Sequence, residues 1–351
     1  MRILLPTLLS TLPLSALAQD LKIVTDIAPI ESLVMQVAGP NADVTALVTR
    51  GASPHGFQFS YDQADAVQSA DLVVWVGPEL APWLDEALET LAPETSSLAL
   101  LATSDWPALT RRDRAVFVLE DDHDGHDDHD DHDEHDEHDE HDEHDEHDEH
   151  DEHDEHDEHD EHDEHDEHDE HEGHGHGKVG DLDPHAWTDP QVAIAWVDDI
   201  AAALSEADPE NSATYAANAE ATIANLTALD ESIAAKLADV PARTLIAPHD
   251  AYQYFGSRYD MPVSGSISVS DASTPGPDRI AALQELVREN DIACVLSDPQ
   301  SRDEWVELVR EGTDANTAVA DPLGAAYPQG PDHYAATLNG LADAYLTCLG
   351  G

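Results

Sequence analysis

Apolar residues fall along this chain in short runs separated by longer amphipathic stretches. Runs rich in Val, Ile and Leu cover Leu21 to Ile27, Val44 to Val48, Leu72 to Val76 and Ala115 to Leu119. After Pro241 the rhythm resumes at Thr244 to Ala247, Val263 to Val269, Ile292 to Leu296 and Thr317 to Ala320. Short unbroken apolar runs belong to strands covered on both faces, and strands alternating with helical patterns require parallel sheets. The pattern predicts an α/β chain with two parallel-sheet lobes. Between the halves, Asp208 as N-cap and Pro209 at the first helical position open a long helix. Its larger side chains at Tyr215, Ala219, Ile223, Leu226, Leu229, Ile233 and Leu237 recur in steps of three and four, which keeps one apolar face. Roughly 30 residues at about 1.5 Å each give a length near ~45 Å. Such a helix predicts a rigid spine joining the lobes and little hinging between them.

One segment breaks the rhythm. From Glu120 to His176 the chain is almost entirely His, Asp and Glu, with His at every third position from His123 to His171, then His174 and His176. Like charges three and four apart oppose a helix, Asp is a poor helix former, and nothing there can bury a core. The tract predicts a disordered loop inserted in the first lobe. At the other extreme, Arg2, the apolar stretch Ile3 to Leu17 and Ala16-Leu17-Ala18 predict a secretory signal peptide cleaved after Ala18. That stretch is interrupted by Pro6 and Pro13 and is shorter than the roughly 20 residues a bilayer span needs. With no Cys near the cleavage site and no later membrane-length apolar segment, an exported, soluble protein is expected. The expected boundaries are 1–18 for the signal peptide, 19–208 for the N-terminal lobe with its insertion at 120–177, 209–239 for the linking helix, and 240–351 for the C-terminal lobe.

The formal net charge is −63, and 35 of the 77 acids lie between Glu120 and Glu172. The other 42 acids face 14 bases, so the body of the protein still carries about −28. Such a surface repels nucleic acid and anionic lipid and draws cations. An acidic surface kept for solubility accounts for the body equally well. The two cysteines, Cys294 and Cys348, would meet an oxidising compartment after export. A bridge between them would close a loop of about 55 residues, worth on the order of 4 kcal/mol in the chain-entropy account. Two buried free thiols are the alternative.

Four histidines lie outside the tract: His55, His185, His249 and His333. His55 follows the run ending at Val48, His185 precedes the helix starting near Pro190, and His249 follows the run Thr244 to Ala247 directly. Strand exits and helix entries of an α/β protein build ligand sites. Neutral imidazoles there suit Zn²⁺, which takes His nitrogens in a four-coordinate site. Asp298, which follows the run Ile292 to Leu296, is the expected fourth ligand, with water as the competitor. His333, beside Asp332 at the start of the last helix, reads as an ordinary helix-terminus residue.

The motifs Gly51-Ala52-Ser53-Pro54-His55, Asp183-Pro184-His185-Ala186-Trp187-Thr188-Asp189-Pro190 and His249-Asp250-Ala251-Tyr252-Gln253-Tyr254-Phe255 resemble those of the zinc- and manganese-binding solute-binding proteins of ABC importers, in particular the zinc-uptake branch. The resemblance spans the whole mature chain. It implies two α/β lobes joined by one long helix, Zn²⁺ carried between them as the transported ion, a periplasmic location, no enzymatic activity, and an ABC permease with its ATPase as partner. Other zinc-delivery proteins are further candidate partners, nucleic acid is not one, and a monomer is expected. Manganese members of the family carry Glu where His249 stands, and oxygen ligands suit Mn²⁺ while nitrogen suits Zn²⁺. The resemblance also implies a His-rich loop in the first lobe and a disulfide between Cys294 and Cys348. One departure is Pro54, where many zinc members have Glu, so dependence on Asp298 or water is correspondingly greater.

The tract offers His123, His126, His129, His132, His135, His138, His141, His144, His147, His150, His153, His156, His159, His162, His165, His168, His171, His174 and His176 as auxiliary ligands. In a flexible chain, two to four of these imidazoles can gather around one Zn²⁺ in many equivalent ways, giving several weaker sites. The tract is expected to collect zinc for the cleft or to store it; a solvated low-complexity segment without consequence for transport is the bland reading. Three other functions compete for the whole chain. A zinc hydrolase would need a general base near an open position, and no H-E-x-x-H motif is present. A periplasmic zinc buffer or chaperone would make the tract the function and the lobes its carrier. Manganese or iron transport is disfavoured by His249.

Overall fold

The structure is a computed structural model that describes residues 21–104, 106–117, 182–241, 243–290 and 292–350. The expected signal peptide and the His-Asp-Glu tract lie outside the described residues. Among the described residues no helix is long and apolar enough to cross a membrane.

The first half supplies β1 (Leu21–Thr25), α1 (Ala28–Ala38), β2 (Ala42–Ala46), α2 (Tyr61–Gln68), β3 (Leu72–Trp75), α3 (Pro82–Leu91) and β4 (Ser96–Ala99). They form a parallel sheet in the order β2-β1-β3-β4. β1 and β3 are central and almost wholly buried, as their unbroken apolar runs require. β4 escaped the reading of the sequence because it is an edge strand: Ser96 and Ser97 are exposed, and only Leu98 and Ala99 turn partly inward. At the exit of β1, the fully buried Asp26 accepts the amides of Ile27 (2.8 Å) and Val76 (2.9 Å), clamping the ends of β1 and β3 together. Burial pushes its carboxyl up to about 7 against the pull of these amides.

The spine is α5 (Ser212–Leu237), which follows α4 (Pro190–Ala207) and a single 3₁₀ turn, Pro209–Asn211. The expected continuous helix from Pro209 is thus a turn plus 26 helical residues, about 39 Å at ~1.5 Å per residue. The reason lies at Asp208, whose carboxylate accepts from the Asn211 amide group (2.6 Å) and the Tyr215 hydroxyl (2.8 Å), side chains in place of the first backbone amides. The buried face of α5 contains the predicted Tyr215, Ala219, Leu226, Ile233 and Leu237, and also Asp230. Asp230 accepts from Gln191 of α4 (2.7 Å) and, across the molecule, from both arms of the Arg258 guanidinium and the Tyr259 hydroxyl (3.0 Å). One carboxylate therefore ties the spine to the elements on either side of it.

The second half contains β5 (Leu245–His249), α6 (Gln253–Arg258), β6 (Val263–Ser268), α7 (Pro277–Glu289), β7 (Cys294–Val295), α8 (Asp303–Arg310) and α9 (His333–Leu349), with a parallel sheet ordered β6-β5-β7. The run Thr317 to Ala320 lies beside β7 through single parallel bridges, Cys294 to Asn316 and Ser297 to Val319. Cys294 and Cys348 form a disulfide with 5.5 Å between their Cα atoms, fastening β7 to α9. The run from Ala115 to Phe117, read as a first-lobe strand, lies instead against the edge of the second sheet, with Val116 bridged antiparallel to Gly265. Its amide and carbonyl groups meet β6 (Phe117 N to Ser264 O, 2.8 Å; Ser266 N to Ala115 O, 3.1 Å), while Arg279 holds the carbonyls of Asp113 and Arg114. Only glycine permits the approach: a Cβ on Gly265 would stand 2.6 Å from the Ala115 carbonyl oxygen. The chain thus reaches the second lobe once before the tract, and Leu109 and Asp183 pair on its return (2.9 Å).

Candidate metal centre

Each of the three strand-exit or helix-entry histidines is presented by a different local device. His55 sits in the loop after β2, where Ala52 N bonds Thr49 O (2.9 Å) and Gly51 takes a φ of 79° that suits glycine. The Trp83 indole of α3 donates to Pro54 O (2.6 Å), and His55 N donates to Ser53 Oγ (3.2 Å). His185 enters the 3₁₀ turn Ala186–Thr188, which leads through the N-cap Asp189 into α4. Asp183 Oδ1 accepts both the backbone amide (3.0 Å) and Nδ1 (2.8 Å) of His185, and the Thr188 hydroxyl donates to the His185 carbonyl. His249 is the last residue of β5, and its Nδ1 stands 3.0 Å from Asp298 Oδ2.

These devices bring one ring nitrogen from each of His55, His185 and His249 within 4.8 Å of one another. His55 Nε2 and His185 Nε2 are 3.1 Å apart. With both Nδ1 atoms of His185 and His249 facing carboxylates, their Nε2 atoms carry the lone pairs. Tetrahedral zinc with Zn–N bonds of about 2.0–2.1 Å separates its nitrogens by roughly 3.4 Å, so this spacing is the one a single ion spans. A group of lone pairs converging in a buried place is what a cation relieves.

Burial is the main cause of the cluster's electrostatics. It pushes His55 and His185 down to about 3, helped by their neighbouring imidazoles, so both rings are neutral and ready to donate to a metal. His249 behaves differently: burial pulls it down, but the hydrogen bond and charge of Asp298 outweigh this and raise it. For Asp298, burial acts upward, while His249 and the Ser301 amide hold it below the usual carboxylate range.

Asp298 is not one of the residues whose ligand atoms converge within 4.8 Å. Its Oδ2 faces His249 Nδ1, and its Oδ1 accepts the amides of Gln300 (3.0 Å) and Ser301 (2.6 Å). The carboxylate of the expected fourth ligand thus meets a histidine Nδ1, the same contact that Asp183 makes with His185. Asp183 was legible in the motif, since an acid two residues before a histidine can reach its ring, but the residues alone gave it no role. Arg112, which pairs with the buried Asp250 and lies over the Phe117 ring at 3.8 Å, carried no sequence signal, because 138 residues separate the partners. His333 stays apart from the cluster, buried at the start of α9 with its ring nitrogens against the carbonyls of Pro328 (3.1 Å) and Leu323 (2.9 Å). The tract histidines lie outside the described residues.

Comparison with known proteins shows the family and the fold. The family model for the periplasmic zinc-uptake complex component A, ZnuA, matches residues 23–348. The high-affinity zinc uptake system protein ZnuA of Paracoccus denitrificans is 38% identical over 99% of this chain and 98% of its own, and that of Brucella abortus is 36% identical over 93% and 91%. Among solved structures, a zinc-bound ZnuA deletion mutant superposes with a TM-score of 0.66 at 19% identity, covering 94% of this chain and 98% of its own, which shows the shared fold. By the match along nearly its whole length, this chain belongs to the ZnuA family of periplasmic zinc-uptake components.

Proposed function

We propose that this protein is the periplasmic solute-binding component of an ABC zinc importer, capturing Zn²⁺ between its lobes and delivering it to a membrane permease and its ATPase. The observation that carries the reading is the convergence of His55, His185 and His249, one nitrogen each, within 4.8 Å. These three imidazoles hold the ion, and water completes the tetrahedron. Asp183 and Asp298 set the ring orientations of His185 and His249 from behind. Residues 19–208 and 240–351 act as the two lobes on either side of the linking helix 209–239, after removal of a signal peptide at 1–18. The tract at 120–177 collects or stores zinc at weaker, exchanging sites. The protein works as a monomer and performs no chemistry on its cargo.

Zinc titration of the full chain against a competing chelator tests this. One tight site is expected above a set of weaker ones, and the tight site should vanish in each of His55→Ala, His185→Ala and His249→Ala. Deleting residues 121–177 should remove the weak stoichiometry and leave the tight site. Retention of tight binding in all three Ala variants would overturn the ligand set, and loss of the tight site with the tract would move the primary site there. Anomalous scattering at the zinc edge reads the ligands directly.

A further inference from the structure

The three histidines are not held alike. His185 and His249 each have a buried carboxylate on Nδ1, at 2.8 and 3.0 Å. Among the described residues no carboxylate stands on the ring of His55; its place is set through the backbone of its loop. Two braces act there. Trp83 fixes the carbonyl before it, and Ser53 Oγ accepts its amide. Ser53 does a second thing: its hydroxyl donates to Asp271 Oδ1 at 2.6 Å, a residue 218 positions away, in the loop that follows β6. The Ser53 oxygen therefore connects the amide of His55 to a carboxylate on the opposite side of the site.

Resting on the zinc-binding reading above, we infer that Ser53 and Asp271 are positioning residues that clasp the His55 loop across the site and set the residence time of the bound zinc. His185 and His249 are each held by a buried carboxylate on Nδ1, and Asp298 is itself fixed by the amides of Gln300 and Ser301. His55 is the ligand whose loop must be fastened to close the shell and unfastened to open it. A serine hydroxyl that accepts from one side and donates to the other transmits the fastening directly to the ligand's own peptide. Zinc entry is little affected, because two of three nitrogens wait in place; departure requires His55 to swing away, and the clasp opposes that swing.

The test uses the full chain loaded with one equivalent of zinc, then mixed with an excess of the chromogenic chelator 4-(2-pyridylazo)resorcinol in a stopped-flow instrument. The slow phase that disappears in His185→Ala belongs to the tight site. Ser53→Ala and Asp271→Ala should each speed that phase about tenfold, the scale on which orienting partners of metal ligands act, with association rates within about threefold of the unaltered protein. The double variant should be no faster than either single one, because both remove the same link. Ser53→Thr, which keeps the hydroxyl, should restore slow release. Unchanged slow-phase rates in either Ala variant, or additive effects in the double variant, overturn the clasp. An Asp271→Ala effect without a Ser53→Ala effect assigns the carboxylate to electrostatics alone and likewise overturns it. Absence of any slow phase in the unaltered protein counts against the zinc-binding reading itself, so the two failures are distinguishable. Thermal melting of the zinc-free variants within a few degrees of the parent excludes misfolding as the cause of faster release.

Discussion

Replacing Asp298 by asparagine should be worse for zinc than replacing it by alanine, and the reason can be worked from three contacts. Asp298 Oδ2 accepts from His249 Nδ1 at 3.0 Å, while Oδ1 accepts two backbone amides, from Gln300 at 3.0 Å and Ser301 at 2.6 Å. An asparagine in the same place has one oxygen and one NH₂ group. The two amide donors claim the oxygen, since turning NH₂ toward them would leave two buried donors facing a third and cost about 1–3 kcal/mol. The NH₂ group then points at His249 Nδ1, which must become an acceptor, and the ring proton moves to Nε2. That is the nitrogen the metal needs. Asp298→Ala merely removes the orienting partner, which for metal-ligating histidines costs roughly 10-fold to 100-fold in affinity. Asp298→Asn adds the cost of reversing the tautomer before each binding event, for a total loss of at least about 100-fold, or ~2.7 kcal/mol. The assay is competition titration at pH 7 with a chelator of known affinity, and ¹⁵N chemical shifts of the His249 ring report the tautomer in the zinc-free state. Asparagine binding within threefold of the parent, or binding better than alanine, refutes the orientation argument. An oxygen ligand contributed by Asp298 in the zinc-edge structure would refute it as well.

Three further outcomes are expected. With His55 and His185 pushed down to about 3 by burial and His249 raised by Asp298, His249 is the first of the three rings to take up a competing proton as pH falls; zinc affinity of the tight site should be flat above the His249 pKa and fall about tenfold per pH unit below it, and a threefold steeper slope refutes this. Asp230→Ala should lower stability in urea at pH 7 by about 2 kcal/mol, less than a fully buried pair because Arg258 is partly exposed. Burial acts to raise the Asp230 carboxyl, but Arg258, Gln191 and Tyr259 together hold it below 3.8, so the difference between parent and variant should persist above that pH and shrink as pH falls through the lowered pKa. Cys294→Ser should cost on the order of 4 kcal/mol for release of a loop spanning 54 positions while leaving zinc affinity within about threefold, read by thermal melting and titration side by side.

Much of the architecture was legible because it rests on local physics. The central strands β1, β3 and β5 are apolar on both faces, so burial wrote itself into uninterrupted runs, and the spine kept its three-four rhythm wherever it packs. What escaped was decided by edges and by distance. β4 is half polar because one side of it is open, and the Ala115 to Phe117 run carries the same apolar signature whichever sheet it joins. Its choice of partner depended on the bare backbone of Gly265, 149 positions from Val116. Asp230 reads as a surface acid of a helix until Arg258 and Tyr259 are folded over it.

The candidate site divides in the same way. Sequence by itself marked which residues could bind: imidazoles at strand exits and helix entries, and Asp298 after a strand, with the family resemblance pointing to His249 as the residue that favours a nitrogen-preferring ion. Those are properties of residue type and short spacing, which the chain carries whether folded or not. Only the tertiary structure decided what each acid touches. Asp298 follows a strand just as His249 does, and nothing in its position says whether its oxygen meets a metal or a ring nitrogen; the separation of a few ångströms that decides between them is set by how β5 and β7 pack. Likewise Ser53 and Asp271 are unremarkable polar loop residues until the lobes bring them to 2.6 Å, and with them the loop that holds His55. Chemistry at the level of ligands is local, whereas orientation and closure come from contacts between segments that are far apart in the chain.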